Sequence, residues 1–450
     1  MFQRTLPLLL ALLLAFPAAA QNVRIDHFEL PNGLDVVLNE DHNAPLVAIN
    51  VWYHVGSKNE KPGRTGFAHL FEHMLFSGSQ NVGANEHFRH VQAVGGVLNG
   101  STTLDRTNYY QTMPSNYLAL GLWLEADRMG FFLPTLSQER LDVQKNVVKE
   151  ERRQRYENVP YGLWLENLLR LGHPTGHPYS WPTIGSMADL TAAQLEDVKD
   201  FFRRYYAPNN AVLTLSGDFD PAEARALVEK YFGDIPRGPE IERPAPVRTR
   251  GTVEARDVIE GAVQLPRVYR LYHVPRIGEP GWHAASLLQN ILVNGKASRL
   301  ERALVLEQQI AQDVQAFVWD AEVEGMLLLW ATAKQGVTPE RLEAAIDAEL
   351  NRIARDGVTE AELARAKNQT ETDYAHQLED VASRADLISM LATYFGDPRI
   401  INTWMDRYNR ITEEDIQQIA RTALAPADRV TLHYVPQKRV LQQQTTGGAP

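Results

Sequence analysis

The chain is written twice. Tyr53-His54-Val55 returns as Tyr272-His273-Val274, and Pro62-Gly63 returns as Pro280-Gly281. Ala207-Pro208-Asn209-Asn210-Ala211-Val212-Leu213-Thr214-Leu215 returns as Ala425-Pro426-Ala427-Asp428-Arg429-Val430-Thr431-Leu432, again at an offset near 218 residues. Each match alone is short, but three in one order at nearly one offset point to an internal duplication. Duplication restricts the fold more than any local motif does, because one architecture has to serve both halves. At 450 residues there is room for two domains, each able to bury a core of its own.

The repeat also marks where the halves part. With Gly78 set against Gly295, His69-Leu70-Phe71-Glu72-His73 lies opposite Ser286-Leu287-Leu288-Gln289-Asn290. The apolar positions persist while both histidines and the glutamate are replaced. One half keeps a chemical site; the other keeps the fold alone.

Residues 45–55 alternate and are rich in Val and Ile, which predicts a strand, with Phe28 to Asn39 a hairpin partner turning at Asn32-Gly33. Residues 65–77 are expected to be helical, and 95–103 and 107–113 to be paired strands. Helices are expected over 115–130, 137–157 and 192–205, and a strand over 211–217. Runs of strands and helices without strict alternation give an α+β fold, two homologous sheet-plus-helix domains. The expected boundaries are an N-terminal metal-binding domain over 21–236, a Pro- and Arg-rich linker over 237–250, and a C-terminal homologous domain without metal ligands over 251–441. A low-complexity tail, expected to be disordered, occupies 442–450.

In His-Leu-Phe-Glu-His, two imidazoles four apart on a helix lie about 40° apart around its axis and can grip one ion from the same side. Glu72 shares that face and can reach a water at the metal. This is the inverted order of the zinc-peptidase motif, H-x-x-E-H. A catalytic zinc takes three protein ligands and leaves a fourth position open. The third is sought at Glu150 or Glu151, on the helix expected from about Ser137 to Asn158. Leu141, Val143, Val147 and Val148 are read as its buried face, and Lys145, Lys149 and Arg152 as its wet one. On that phase Glu151 falls near the middle of the apolar arc and Glu150 on its flank.

The chain resembles the pitrilysin/insulinase family of inverted-motif zinc peptidases over nearly all of residues 21–441. The resemblance implies one zinc ion per chain held by His69, His73 and a distant glutamate, with Glu72 activating water. A segment like Asn146-Val147-Val148-Lys149-Glu150-Glu151 precedes that ligand in the family and favours Glu151, whereas the family's usual spacing from the motif favours Glu150. Glu151 is kept as the expected third ligand, because helix register is set locally and one extra loop residue would shift the count. A second acid often found seven residues earlier is replaced here by Gln144. The resemblance further implies that Gly95 to Thr102 pairs with an extended peptide substrate, with Asn99, Gly100 and Ser101 as substrate-binding positions.

Family members also use an Arg and a Tyr seven residues apart in the second half. Aligned through Ser298-Arg299-Leu300, those places hold Val305 and Gln312, and Arg302 is out of register. The expectation is therefore a zinc endopeptidase acting as the catalytic subunit of a heterodimer whose homologous partner carries the Arg/Tyr pair. The alternatives are a non-catalytic peptide-binding or scaffold subunit derived from such a peptidase, and a processing enzyme that removes targeting peptides.

Arg4, the apolar run Leu6 to Phe16 and the small residues Ala18-Ala19-Ala20 form an expected signal peptide over 1–20. With no cysteine in the chain, a periplasmic location follows as the expectation, and thiolate ligands and a Cys nucleophile are excluded. A net charge of −11 argues against nucleic acid as a partner, and no later stretch is apolar enough to span a bilayer. His54, His87 and His90 are read as ordinary polar or packing residues. Arg152, Arg153 and Arg155 are read as a solvated helix face.

Overall fold

The computed structural model describes residues 22–247, 249, 255–424 and 429–437. The expected signal peptide, the tail and residues 425–428 of the repeat lie outside the described residues. The strands are β1 (Asp26–Glu29), β2 (Asp35–Glu40), β3 (Leu46–Tyr53), β4 (Val97–Thr102), β5 (Thr107–Pro114), β6 (Ala211–Gly217), β7 (Ala255–Gly261), β8 (Arg267–Val274), β9 (Ala311–Trp319), β10 (Gly325–Ala333) and β11 (Arg429–Pro436). They form two sheets, in the orders β1-β2-β6-β3-β5-β4 and β7-β11-β8-β10-β9.

Set β2 on β7, β6 on β11, β3 on β8, β5 on β10 and β4 on β9, and the two orders coincide. The directions coincide as well. β2 is parallel to β6 and β7 to β11, and every other equivalent pair is antiparallel. The duplication read from three short matches thus extends to strand order and polarity.

One expected pairing differs. β1 and β2 do form a hairpin about Asn32-Gly33, but β6 lies between that hairpin and β3. All seven residues of β6 are buried, and such a strand belongs inside a sheet.

Between the strands run α1 (Phe67–Phe76), α2 (Glu86–Ala93), α3 (Leu118–Phe131), α4 (Gln138–Arg152), α5 (Trp164–Gly172), α6 (Met187–Ala192), α7 (Leu195–Tyr205) and α8 (Pro221–Phe232). The second half carries α9 (Pro280–Val293), α10 (Pro339–Asp356), α11 (Glu360–Glu379), α12 (Val381–Phe395), α13 (Trp404–Asn409) and α14 (Glu413–Ala423). On one face of the first sheet Val36, Leu38, Ile49, Val51, Leu213 and Leu215 pack with Phe71, Met74, Leu122 and Phe202.

Its other face is covered by the second half. Val37, Trp52 and Val212 join a core with Ile388 and Leu391 of α12. The converse holds for the second sheet, where Leu168 and Leu169 of α5 pack with Tyr269, Leu271, Leu328 and Leu432. Both leucines are fully buried there, each contributing about 1.5–3 kcal/mol. The expectation of one self-sufficient core per half is therefore corrected: each sheet needs a helix from the other half to cover its second face.

Candidate metal centre

Helix α1 buries Phe67, Leu70, Phe71 and Met74, an i, i+3, i+4, i+7 stripe, against the sheet and α7. Phe71 stacks on Phe201, Phe202 and Tyr206. That contact turns His69, Glu72 and His73 to the opposite, half-buried face. The start of the helix is held from a distance, because Gly66 (φ +86°) has no side chain to cap it. Gly66 N–H and Ala68 N–H instead donate to the Glu60 carboxylate at 3.0 and 2.8 Å. Burial pushes the Glu60 carboxyl up to about 8 against these donors.

Helix α4 begins at Ser137, whose hydroxyl accepts from Arg140 N–H at 3.2 Å, and it brings Glu151 to α1. Glu151 Oε2 lies 3.1 Å from His73 Nε2 and 3.7 Å from His69 Nε2. The imidazole centroids are 4.7 Å apart with planes at 79°. Glu150 turns outward to Arg153 and Gln154, at 3.1 Å from each. The structure thus brings His69, His73 and Glu151 together and leaves Glu150 out.

The helical phase used to choose between the two glutamates is corrected in part. Val143 and Val147 are exposed, and the buried stripe runs through Leu141, Val148 and Arg152. Arg152, expected on a wet face, ties the end of α4 to Glu157 (3.0 Å), Glu166 (2.8 Å) and the Gly185 carbonyl (2.7 Å). Arg155 is exposed yet bonds Glu151 Oε1 at 2.7 Å, from a π-helical turn over Arg153–Glu157. It fixes one carboxylate oxygen and leaves the other to the histidines.

The donor set fits a divalent cation. Glu151 Oε2 is buried and accepts no well-formed hydrogen bond although two imidazole nitrogens converge on it. Burial and then His73 push His69 down to about 4, so its ring is neutral and able to ligate near neutral pH. His73, followed by His69, holds the Glu151 carboxyl below its usual range despite burial. Burial raises the Glu72 carboxyl, a direction that favours proton uptake.

Thr102 of β4, which sequence reasoning missed, donates its hydroxyl to Glu72 Oε2 at 2.7 Å. Gly100 lies beneath the motif helix, where a Cβ would stand 3.0 Å from Phe76 Cε2 and 3.2 Å from Glu72 Cγ. β4 forms the edge of its sheet. By alternation, Asn99 and Ser101 face away from Glu72. Ser101 instead donates to Asn108 (2.8 Å), and its carbonyl accepts from Arg106 (2.9 Å).

The second half holds the degenerate counterpart. Helices α9 and α11 pack as α1 and α4 do, and opposite the His73–Glu151 meeting Asn290 Nδ2 donates to Thr370 Oγ1 at 3.0 Å. A neutral hydrogen bond there replaces the three ligand atoms.

Comparison with known proteins agrees with this division. The sequence profile described as "Insulinase (Peptidase family M16)" matches residues 35–171, which contain every residue of the cluster. The profile described as "Peptidase M16 inactive domain" matches residues 192–370. The zinc protease PqqE of Helicobacter pylori is 29% identical over 413 residues, 90% of this chain and 92% of that protein. A crystal structure of a protease from Helicobacter pylori superposes with a TM-score of 0.87 at 28% identity, covering 92% of this chain and 100% of that one. The periplasmic protease PqqL from Escherichia coli shares the fold, with a TM-score of 0.73 at 19% identity, covering 92% of this chain and 48% of that one. Two M16 profiles in tandem on a duplicated fold place the chain in peptidase family M16, the insulinase family.

Proposed function

We propose that this chain is a zinc-dependent endopeptidase and the zinc-carrying subunit of a heterodimer. The observation that carries the reading is the meeting of His69, His73 and Glu151 beside Glu72. Zinc bound by those three residues would supply a Lewis acid that polarises the scissile carbonyl and draws the pKa of water toward about 7. Glu72, steadied by Thr102, takes the proton of the attacking water and returns it to the leaving amine. An extended peptide adds to the open edge of β4 along Asn99, Gly100 and Ser101, pairing by backbone rather than by side chain.

The partner is inferred from what the second half lacks. Val305 packs against the core, Gln312 is exposed on β9, and Arg302 is engaged with Glu307 at 3.0 Å, so none of the three is poised for an oxyanion. A periplasmic location rests on the signal-like segment at residues 1–20.

Purified alone with zinc, the chain should hydrolyse peptides weakly. A homologous subunit bearing the Arg/Tyr pair should restore turnover. Robust hydrolysis by the lone chain would refute the need for a partner. The competing reading, a peptide-binding scaffold, draws on the "inactive domain" profile over 192–370. It predicts that the assembled complex is equally inert with and without Glu72→Gln.

A further inference from the structure

We infer that the seam between the two halves holds a second divalent-cation site, formed by His173, His273 and Glu324 and suited to zinc. His173 follows α5, His273 lies on β8, and Glu324 immediately precedes β10, so the ligands come from both halves. One ligand atom of each lies within 4.8 Å of the others. His173 Nε2 and His273 Nε2 stand 3.8 and 3.7 Å from Glu324 Oε2. All three residues are buried.

The decisive group is His173. Its Nδ1 donates to the Leu169 carbonyl at 2.9 Å, which commits the hydrogen of the neutral ring and leaves the Nε2 lone pair facing the cluster. That arrangement, a backbone carbonyl fixing the distal nitrogen, is how proteins orient a histidine that ligates a metal. The His173 side chain is fully buried and, among the described residues, its Nε2 has no hydrogen-bond partner. An orphaned acceptor is costly in an apolar surround, and a cation would satisfy it.

Two neighbours complete the setting. The His177 ring stacks on His173 with centroids 4.6 Å apart. Its Nδ1 accepts from Tyr179 N–H at 3.1 Å, which leaves the hydrogen on Nε2 and makes it a support rather than a ligand. Thr249 donates its N–H to Glu324 Oε1 at 2.6 Å and its hydroxyl to Glu324 Oε2, and the same hydroxyl oxygen lies 3.1 Å from His273 Nε2, a contact that a bound cation would replace. A cavity of about 50 Å³ adjoins the cluster, lined by Pro246, Val247, His273, Glu279 and Glu324 among others.

Two imidazoles and one carboxylate suit zinc and disfavour magnesium or calcium, which take oxygen-rich shells. An ion there would clamp the end of α5 to the sheet that α5 covers, a structural role separate from hydrolysis.

The test uses the full chain carrying H69Q and H73Q, which remove the first centre. After exposure to micromolar zinc and dialysis, metal analysis should find about one zinc per chain, and about none once H173Q is added. Zinc absent from the H69Q/H73Q protein would overturn the inference, and a wild-type count of one would then leave the first centre standing. Should H173Q fail to fold, X-ray absorption at the zinc edge of the H69Q/H73Q protein decides. A shell of two imidazoles and oxygen supports the site, and any other shell overturns it.

Discussion

Glu150 and Glu151 are adjacent and chemically identical, yet their surroundings differ sharply. Glu150 faces solvent with Arg153 and Gln154, whereas Glu151 meets two imidazoles and is braced by Arg155. Glu151→Gln should therefore weaken zinc retention by more than the roughly 100-fold that a change behind the ligands costs, and Glu150→Gln should leave it unchanged. Competition with a chromophoric chelator measures both. On the proposed function, Glu72→Gln should retain zinc while peptide hydrolysis falls by about 10²–10⁴-fold, because it would remove the base and no ligand. Parallel loss of metal and activity would mean that Glu72 ligates instead. His69, Glu72 and His73 were legible in the sequence because helix geometry alone puts them on one face. Thr102 and Arg155 were not, since a strand crossing under α1 and a π-helical turn after α4 decide their contacts.

The motif helix depends on an element outside itself. α1 starts at a glycine with no capping side chain, and Glu60 reaches across the preceding turn to take two of its amides. Glu60→Ala should lower unfolding free energy by about 1–3 kcal/mol, the cost of stranding buried donors, and should weaken zinc binding as the first turn frays. Urea unfolding and a zinc titration read the two effects. An unchanged affinity would show that α1 is held by its core contacts alone. Gly66 is constrained as well. Its φ of +86° and the 2.8 Å that would separate a Cβ from the Ile184 carbonyl leave no room for alanine. The positions of α1, α3, α4 and α7 were legible because apolar spacing signals them. The phase of α4 was misread at Val143 and Val147 because exposed valines are common, and because Lys145 and Arg152 bend inward to bond carbonyls at the edge of the core.

At the scale of the molecule, the duplication was readable and the exchange of covering helices was not, since neither α5 nor α12 carries a local sign of which sheet it will meet. The same seam holds a buried ionic network. Lys58 contacts Asp105 at 2.9 Å and also Glu322, and His54 Nε2 donates to Glu322 at 2.6 Å. Tyr179 bonds Asp105 at 2.7 Å and accepts from Val323 N–H at 2.9 Å, so first-half residues and the 320–323 loop are fastened together. Burial alone would raise the Glu322 carboxyl, but His54 and Lys58 outweigh it and hold it at about 2, below its ordinary 4.5. Burial keeps His54 below its own usual range, so near neutral pH His54 is a neutral donor and the charge opposite Glu322 is that of Lys58. A carboxyl lowered on folding stabilises the native state fully above its unfolded pKa and loses that contribution as pH falls through the folded value. Glu322→Gln should therefore cost about 3 kcal/mol at pH 7, the lower end for breaking a buried pair because Asp105 still faces Lys58. The gap between wild type and variant should shrink from about pH 5 to about pH 2 and vanish below that. Denaturant unfolding of both proteins at stepped pH measures it, and a gap that stays constant across that range would show that Glu322 acts through packing and not through its charge.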